Sequence, residues 1–117
     1  MLKTELEIFR AKGAAETVVF AKHANTFLTR MRGLLGRKPL QGNDGLLLSP
    51  CNQVHTIGMR YSLDVVYLDK HGVVIKCVED LAPFRFSAAR GARHTLELAA
   101  NSVKVLGIKP GEHLVWK

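Results

Sequence analysis

Polar and apolar residues alternate at the start of the chain, where Glu5 and Glu7 flank Leu6 and Ile8. That period of two predicts a half-buried strand, and Val18-Val-Phe, after the small-residue turn Lys12-Gly-Ala-Ala, predicts a second. From Asn25-Thr26 the period lengthens: Phe27, Leu28, Met31, Leu34 and Leu35 recur at three- and four-residue steps up to Gly36 and Pro39. A capping residue, an apolar stripe and a Gly/Pro stop predict one amphipathic helix, with Arg30 and Arg37 off the stripe. Gly42-Asn-Asp-Gly45 predicts a loop and Leu46-Leu-Leu-Ser a buried strand.

The middle of the chain predicts a hairpin. Leu63 to Leu68 and Val73 to Val78 are apolar, β-branched runs joined by Asp69-Lys-His-Gly72, whose residues tolerate positive φ. Leu96 and Leu98 alternate with Thr95 and Glu97 as in a strand, although Ala99-Ala100 would also suit a helix, and Ser102 to Leu106 reads as a helical turn. Lys109-Pro-Gly-Glu112 has the order of a type II turn and leads into a closing strand from His113 to Trp116. The sum is an α+β chain, a mainly antiparallel β-sheet or small β-barrel with one or two short helices. At 117 residues it is expected to form one domain over 1–117, and 47% apolar residues suffice for one core.

Charge changes this picture in one respect. Lys and Arg number 17 against 10 Asp and Glu, giving +7, and the excess is local. No carboxylate lies between Thr17 and Asn43, a stretch that holds Lys22, Arg30, Arg32, Arg37 and Lys38; a second acid-free window, Leu81 to Leu96, holds Arg85, Arg90 and Arg93. Basic stretches attract nucleic acid, anionic ligands or acidic proteins, and more often they are simply solvated. Phe27 belongs to the predicted apolar stripe, so Phe84-Arg85-Phe86 is the better place to look for a ring beside a basic group. The best phosphate footprint is Lys22 to Lys38, so a further alternative is weak nucleic-acid binding through the basic helix with Arg30, Arg32 and Arg37, although a solvated basic face outweighs nucleic acid at both places. No apolar run approaches the roughly 20 residues that span a bilayer, and the N-terminus lacks the apolar core of a secretory signal. The expectation is a cytoplasmic protein, off the membrane, with Cys51 and Cys77 as thiols, since their spacing fits neither a Cys-x-x-Cys pair nor a disulfide scaffold.

Candidate chemistry concentrates in Ser49-Pro-Cys-Asn-Gln-Val-His-Thr-Ile-Gly-Met-Arg60, which runs into Asp64. Cys51 as nucleophile, His55 as base and Asp64 as orienting carboxylate would make a Cys/His-dependent hydrolase or transferase. A buried thiol near a hydrogen-bonded His outweighs that reading, because catalytic dyads usually converge from distant segments. The same residues with His71, Glu97, His94 or His113 could ligate a metal, yet only one pair has metal-ligand spacing, so neither a metal nor a cofactor is assigned. His23, His71 and His113 stand alone and read as surface residues, and no Gly-rich loop fits a nucleotide pattern. Asp64 interrupts the apolar run Leu63-Asp-Val-Val-Tyr-Leu and must have a partner, expected among the amides of Thr56-Ile-Gly-Met or in Arg32 or Arg60.

His55-Thr-Ile-Gly-Met-Arg-Tyr-Ser-Leu-Asp64-Val-Val-Tyr-Leu-Asp69 follows Arg32-Gly-Leu-Leu-Gly-Arg37 and Gly45-Leu-Leu-Leu, and precedes Leu96-Glu97-Leu and Ile108-Lys-Pro-Gly-Glu112. In this order the motifs resemble the domain-of-unknown-function 192 family, over about residues 17–116. The resemblance implies a compact, mainly antiparallel β domain with one or two helices and no established activity. The leading expectation is a small non-enzymatic binding domain for an anionic small molecule or an acidic protein partner. Its ligand-binding residues would be His55, Thr56, Met59, Asp64, Arg30, Arg32 and Glu97.

Overall fold

The computed structural model describes residues 4–11, 17–24, 40, 42, 44–57 and 59–117. Among the described residues nine strands form in chain order: β1 (Thr4–Arg10), β2 (Thr17–Ala24), β3 (Asp44–Leu48), β4 (Gln53–His55), β5 (Leu63–Leu68), β6 (Val74–Leu81), β7 (Phe86–Ala88), β8 (His94–Ala99) and β9 (Leu114–Trp116). One short helix, α1 (Ser102–Leu106), lies between β8 and β9. Seven strands make one sheet in the order β6-β5-β8-β3-β2-β1-β9, and β4 and β7 make a separate two-stranded ribbon. The fold is α+β, a curled half-barrel of mostly antiparallel strands.

Among the described strands only β2 and β3 pair in parallel. A parallel pair needs a long crossover, usually helical. The helix expected from Asn25 to Gly36 falls in that connection and lies outside the described residues, as do Arg30 and Arg32. Asp44 and Gly45, expected in a loop, belong to β3, where Gly45 faces Leu98 across the ladder. Leu96 and Leu98 are in strand, and the Ala99-Ala100 pair does not start a helix.

Alternation along the strands gives the sheet two apolar faces. Ile8, Val19, Ala21, Leu47, Val66, Leu68, Leu96, Leu98 and Leu114 form one core with Val103 and Ile108. Leu46, Leu48, Leu63, Val65 and Tyr67 face the other way and pack beneath Val54, Met59 and Ala89 of the ribbon and its loops. All six residues of β5 are therefore buried, because both of its faces are covered.

The two edge strands meet at the hairpin turn. Val73 bridges His113, the Val74 amide donates to the Glu112 carbonyl at 2.8 Å, and the Leu114 amide donates to the Gly72 carbonyl at 2.9 Å. Gly72 has φ +85° and a Cβ there would stand 2.4 Å from the Leu114 carbonyl oxygen, so the seam requires glycine. Asp69 completes the turn by accepting from the amides of His71 and Val73. Beside this seam Arg10 pairs with Glu112 and donates to the Leu106 carbonyl, fixing the end of β1 to α1.

Candidate functional site

Asp64 alternates with Leu63 and Val65 and so falls on the α1 side of β5, fully buried. Its Oδ1 accepts from the Asp80 amide at 2.9 Å and its Oδ2 from the Val103 amide at 2.8 Å. Among the described residues, the expected partners Arg60 and the amides of Thr56, Ile57 and Met59 are not the ones used, and Gly58 and Arg32 lie outside that set. The physical reason is strand phase: an even-numbered side chain on β5 points away from the ribbon. Asp80 is itself turned into left-handed backbone, φ 55°, at an irregularity of β6, which aims its amide at the carboxylate. Asp64 is thus a pin between hairpin and helix.

Glu97 lies on the opposite face of the sheet. It pairs in register with Leu46 and Val65, both part of the layer under the ribbon, and is only 8% exposed. Among the described residues no donor reaches its carboxyl, and burial pushes its pKa up from 4.5 to about 7. Beside it on β5, the buried Tyr67 hydroxyl donates to Ser87 Oγ of β7 at 3.0 Å. Burial first, then the nearby charges of Cys51 and Glu97, push the Tyr67 pKa upward, against the pull of Ser87. Thr95 on the same face donates to the Cys51 carbonyl at 2.9 Å. Glu97, Tyr67, Ser87, Thr95 and Cys51 therefore supply polar groups to an otherwise apolar layer that includes Met59.

Cys51 and His55 do not form a pair. The thiol of Cys51 donates to the Gln53 carbonyl at 3.1 Å, and His55 stands exposed on the outer face of β4, opposite Phe86. Val54, between the exposed Gln53 and His55, points inward, so the strand turns His55 out. Thr56 is buried and committed to the backbone: its hydroxyl donates to the Ala82 carbonyl at 2.6 Å and accepts from the Arg85 amide at 2.7 Å. Thr56→Val should lower unfolding stability by about 2 kcal/mol, because it leaves these two groups unsatisfied at similar volume. A urea titration checks this, and a loss within error of zero would mean the ribbon does not depend on the knot.

Sequence reasoning missed a second polar cluster, at the end of the half-barrel opposite α1. Ser49 Oγ is 2.5 Å from His94 Nδ1, and the His94 ring meets Trp116 edge to face at 4.9 Å. Burial, then Arg93 and His23, lower the His94 pKa against the pull of Asp69, which favours a neutral ring. His23 was expected on the surface with His71 and His113; the latter two are exposed, but His23 is half-buried and its Nε2 has no hydrogen-bond partner among the described residues. The signal was present: His23 continues the inward phase of Val19 and Ala21. His94 and Glu97 occupy opposite faces and cannot share a metal. Among the described residues no group of three or more His, Cys, Asp or Glu could hold one.

The profile of the DUF192 family, described as uncharacterized ACR, matches residues 8–116. No curated protein matches the chain. A solved structure from Sinorhizobium meliloti, described as a candidate transcription regulator, superposes with a TM-score of 0.82 at 22% identity, covering 96% of this chain and 92% of that one. A protein of unknown function from Novosphingobium aromaticivorans gives 0.81 at 20% identity, over 96% and 84%. A candidate exported protein from Burkholderia pseudomallei gives 0.55 at 16% identity, over 97% of this chain but 24% of that one. At these identities the likeness is one of fold.

Proposed function

The chain belongs to the DUF192 family of uncharacterised proteins, and from its own residues we propose a non-catalytic binding domain for a small molecule that offers a hydrogen-bond donor to Glu97. The observation that carries this reading is a buried carboxyl that no described donor reaches, set beside the Tyr67–Ser87 hydroxyl pair in an apolar layer. Burying such a group without a partner is costly, and an amine, amide or hydroxyl of a ligand would supply the missing bond. The anionic ligand suggested by the basic excess is the competing occupant. It would draw on Arg30 and Arg32 and on the protonated form of Glu97. A Cys/His enzyme is less well supported, because the Cys51 thiol is spent on Gln53 and His55 faces outward.

Thermal shift against amines and amides on one side, and phosphates and carboxylates on the other, separates the occupants. Donor-bearing compounds should raise the melting temperature of the natural protein, more strongly at about pH 8 than at about pH 6, where Glu97 is mostly protonated. Glu97→Gln should abolish that pH preference. Stabilisation by anions alone, stronger at the lower pH, would replace the donor reading, and no shift with any compound would remove both.

Two free thiols support a reducing compartment, and the cytosol is the location we propose. Among the described residues no helix is long and apolar enough to cross a membrane.

A further inference from the structure

The outer face of the β4–β7 ribbon carries large apolar side chains in water. Ile57, Phe84 and Phe86 are 59%, 66% and 66% exposed. Phe86 stands opposite His55, and the next positions along both strands are joined by the Thr56 amide donating to the Arg85 carbonyl at 2.9 Å. The Phe84 amide then donates to the Thr56 carbonyl at 3.0 Å, which brings Phe84 alongside Ile57. Phe84 is held in left-handed backbone at φ 61°, a conformation that a bulky residue rarely adopts. Exposed rings presented on rigid, strained backbone are features that concentrate at binding surfaces.

Exposed arginines adjoin these residues in the chain: Arg85 lies between Phe84 and Phe86 with its guanidinium on the Phe84 carbonyl, and Arg60 follows Ile57 by three positions. No carboxylate occurs from Leu81 to Leu96, and the acids nearest in sequence are the exposed Glu79 and Asp80. We propose that this face docks a partner protein through an acidic segment bearing aromatic or aliphatic anchors. The anchors seat on Ile57, Phe84 and Phe86, and their flanking carboxylates pair with Arg60 and Arg85. An apolar centre flanked by guanidinium groups is the usual anatomy of a protein contact. The aliphatic Ile57 at that centre offers no flat face for a nucleic-acid base, so the composition favours a protein over a single strand. The surface lies across the ribbon from Glu97 and does not depend on the small-molecule reading.

Fluorescence anisotropy of a fluorescein-labelled, glutamate-rich peptide carrying two phenylalanines tests it. Saturable binding is expected, weakening with added salt and falling about 10-fold or more in Phe86→Ser or Ile57→Ser and in Arg85→Glu. Phe84→Asn should weaken binding without lowering the melting temperature, because Asn accepts left-handed backbone. That variant separates docking from folding. Failure of the peptide to bind, or equal binding by all variants, would overturn the proposal. So would tighter binding of a deoxythymidine oligomer than of the peptide, or a dimer in sedimentation that Phe86→Ser dissociates, because the face would then serve nucleic acid or a second copy.

Discussion

Asp64→Ala should destabilise the protein by about 4 kcal/mol, since two buried charge-assisted hydrogen bonds contribute roughly 1.5–3 kcal/mol each and their donors would be left unpaired. Both donors are backbone amides that have no alternative: the Asp80 amide sits in left-handed backbone at the β6 irregularity, and the Val103 amide opens α1. Water cannot replace the carboxylate, which is fully buried among Val66, Leu98 and Val103. Asp64→Asn should lose about half as much, because its amide oxygen satisfies one donor while its NH2 group confronts the other. Urea unfolding reads both variants, with a fall in midpoint at constant slope. A loss below about 1 kcal/mol for the alanine variant would show that the pin does not hold helix to hairpin.

The second large effect is a pH dependence with an unusual sign. Glu97 titrates near 7 in the folded chain and near 4.5 when unfolded. Between those values the native state keeps a proton that the unfolded state has released, so stability falls as pH rises, by about 1.4 kcal/mol per pH unit. The loss amounts to roughly 3 kcal/mol by about pH 8 and is flat above that, and it is absent below about pH 4.5, where both states are protonated. Glu97→Gln carries no such slope. It should therefore match the natural protein in acid and exceed it by about 3 kcal/mol at about pH 8, a difference that cancels every other titrating group. Parallel stability profiles for the two proteins would contradict the upward push that burial gives Glu97.

Periodicity carried most of the fold. Leu6 and Ile8, the Leu63–Leu68 and Val73–Val78 runs, the Asp69–Gly72 turn and the Pro110–Gly111 turn all lie where alternation and turn chemistry put them. The ribbon was not legible, because β4 and β7 each have three residues with a single inward side chain, Val54 and Ser87. One buried position makes no period. For the site, sequence proximity misled. His55 and Cys51 are close along the chain but one turns outward, while Asp64 and Glu97 come from adjacent strands and occupy opposite faces. Glu97 was identifiable as a carboxylate within an apolar strand. Its neighbours Tyr67 and Ser87 were not, since nothing in the sequence announces that β7 lies over β5.

Glu97 is a buried carboxyl that no donor among the described residues reaches, and its proposed role as a ligand's acceptor rests on that. Its side-chain carboxyl carbon, followed by 13C NMR from about pH 4 to about pH 9, reports this directly. The expected result is a titration midpoint near 7, moving downward once a donor-bearing compound is bound. A midpoint near 4.5, the value of the unburied group, would contradict it.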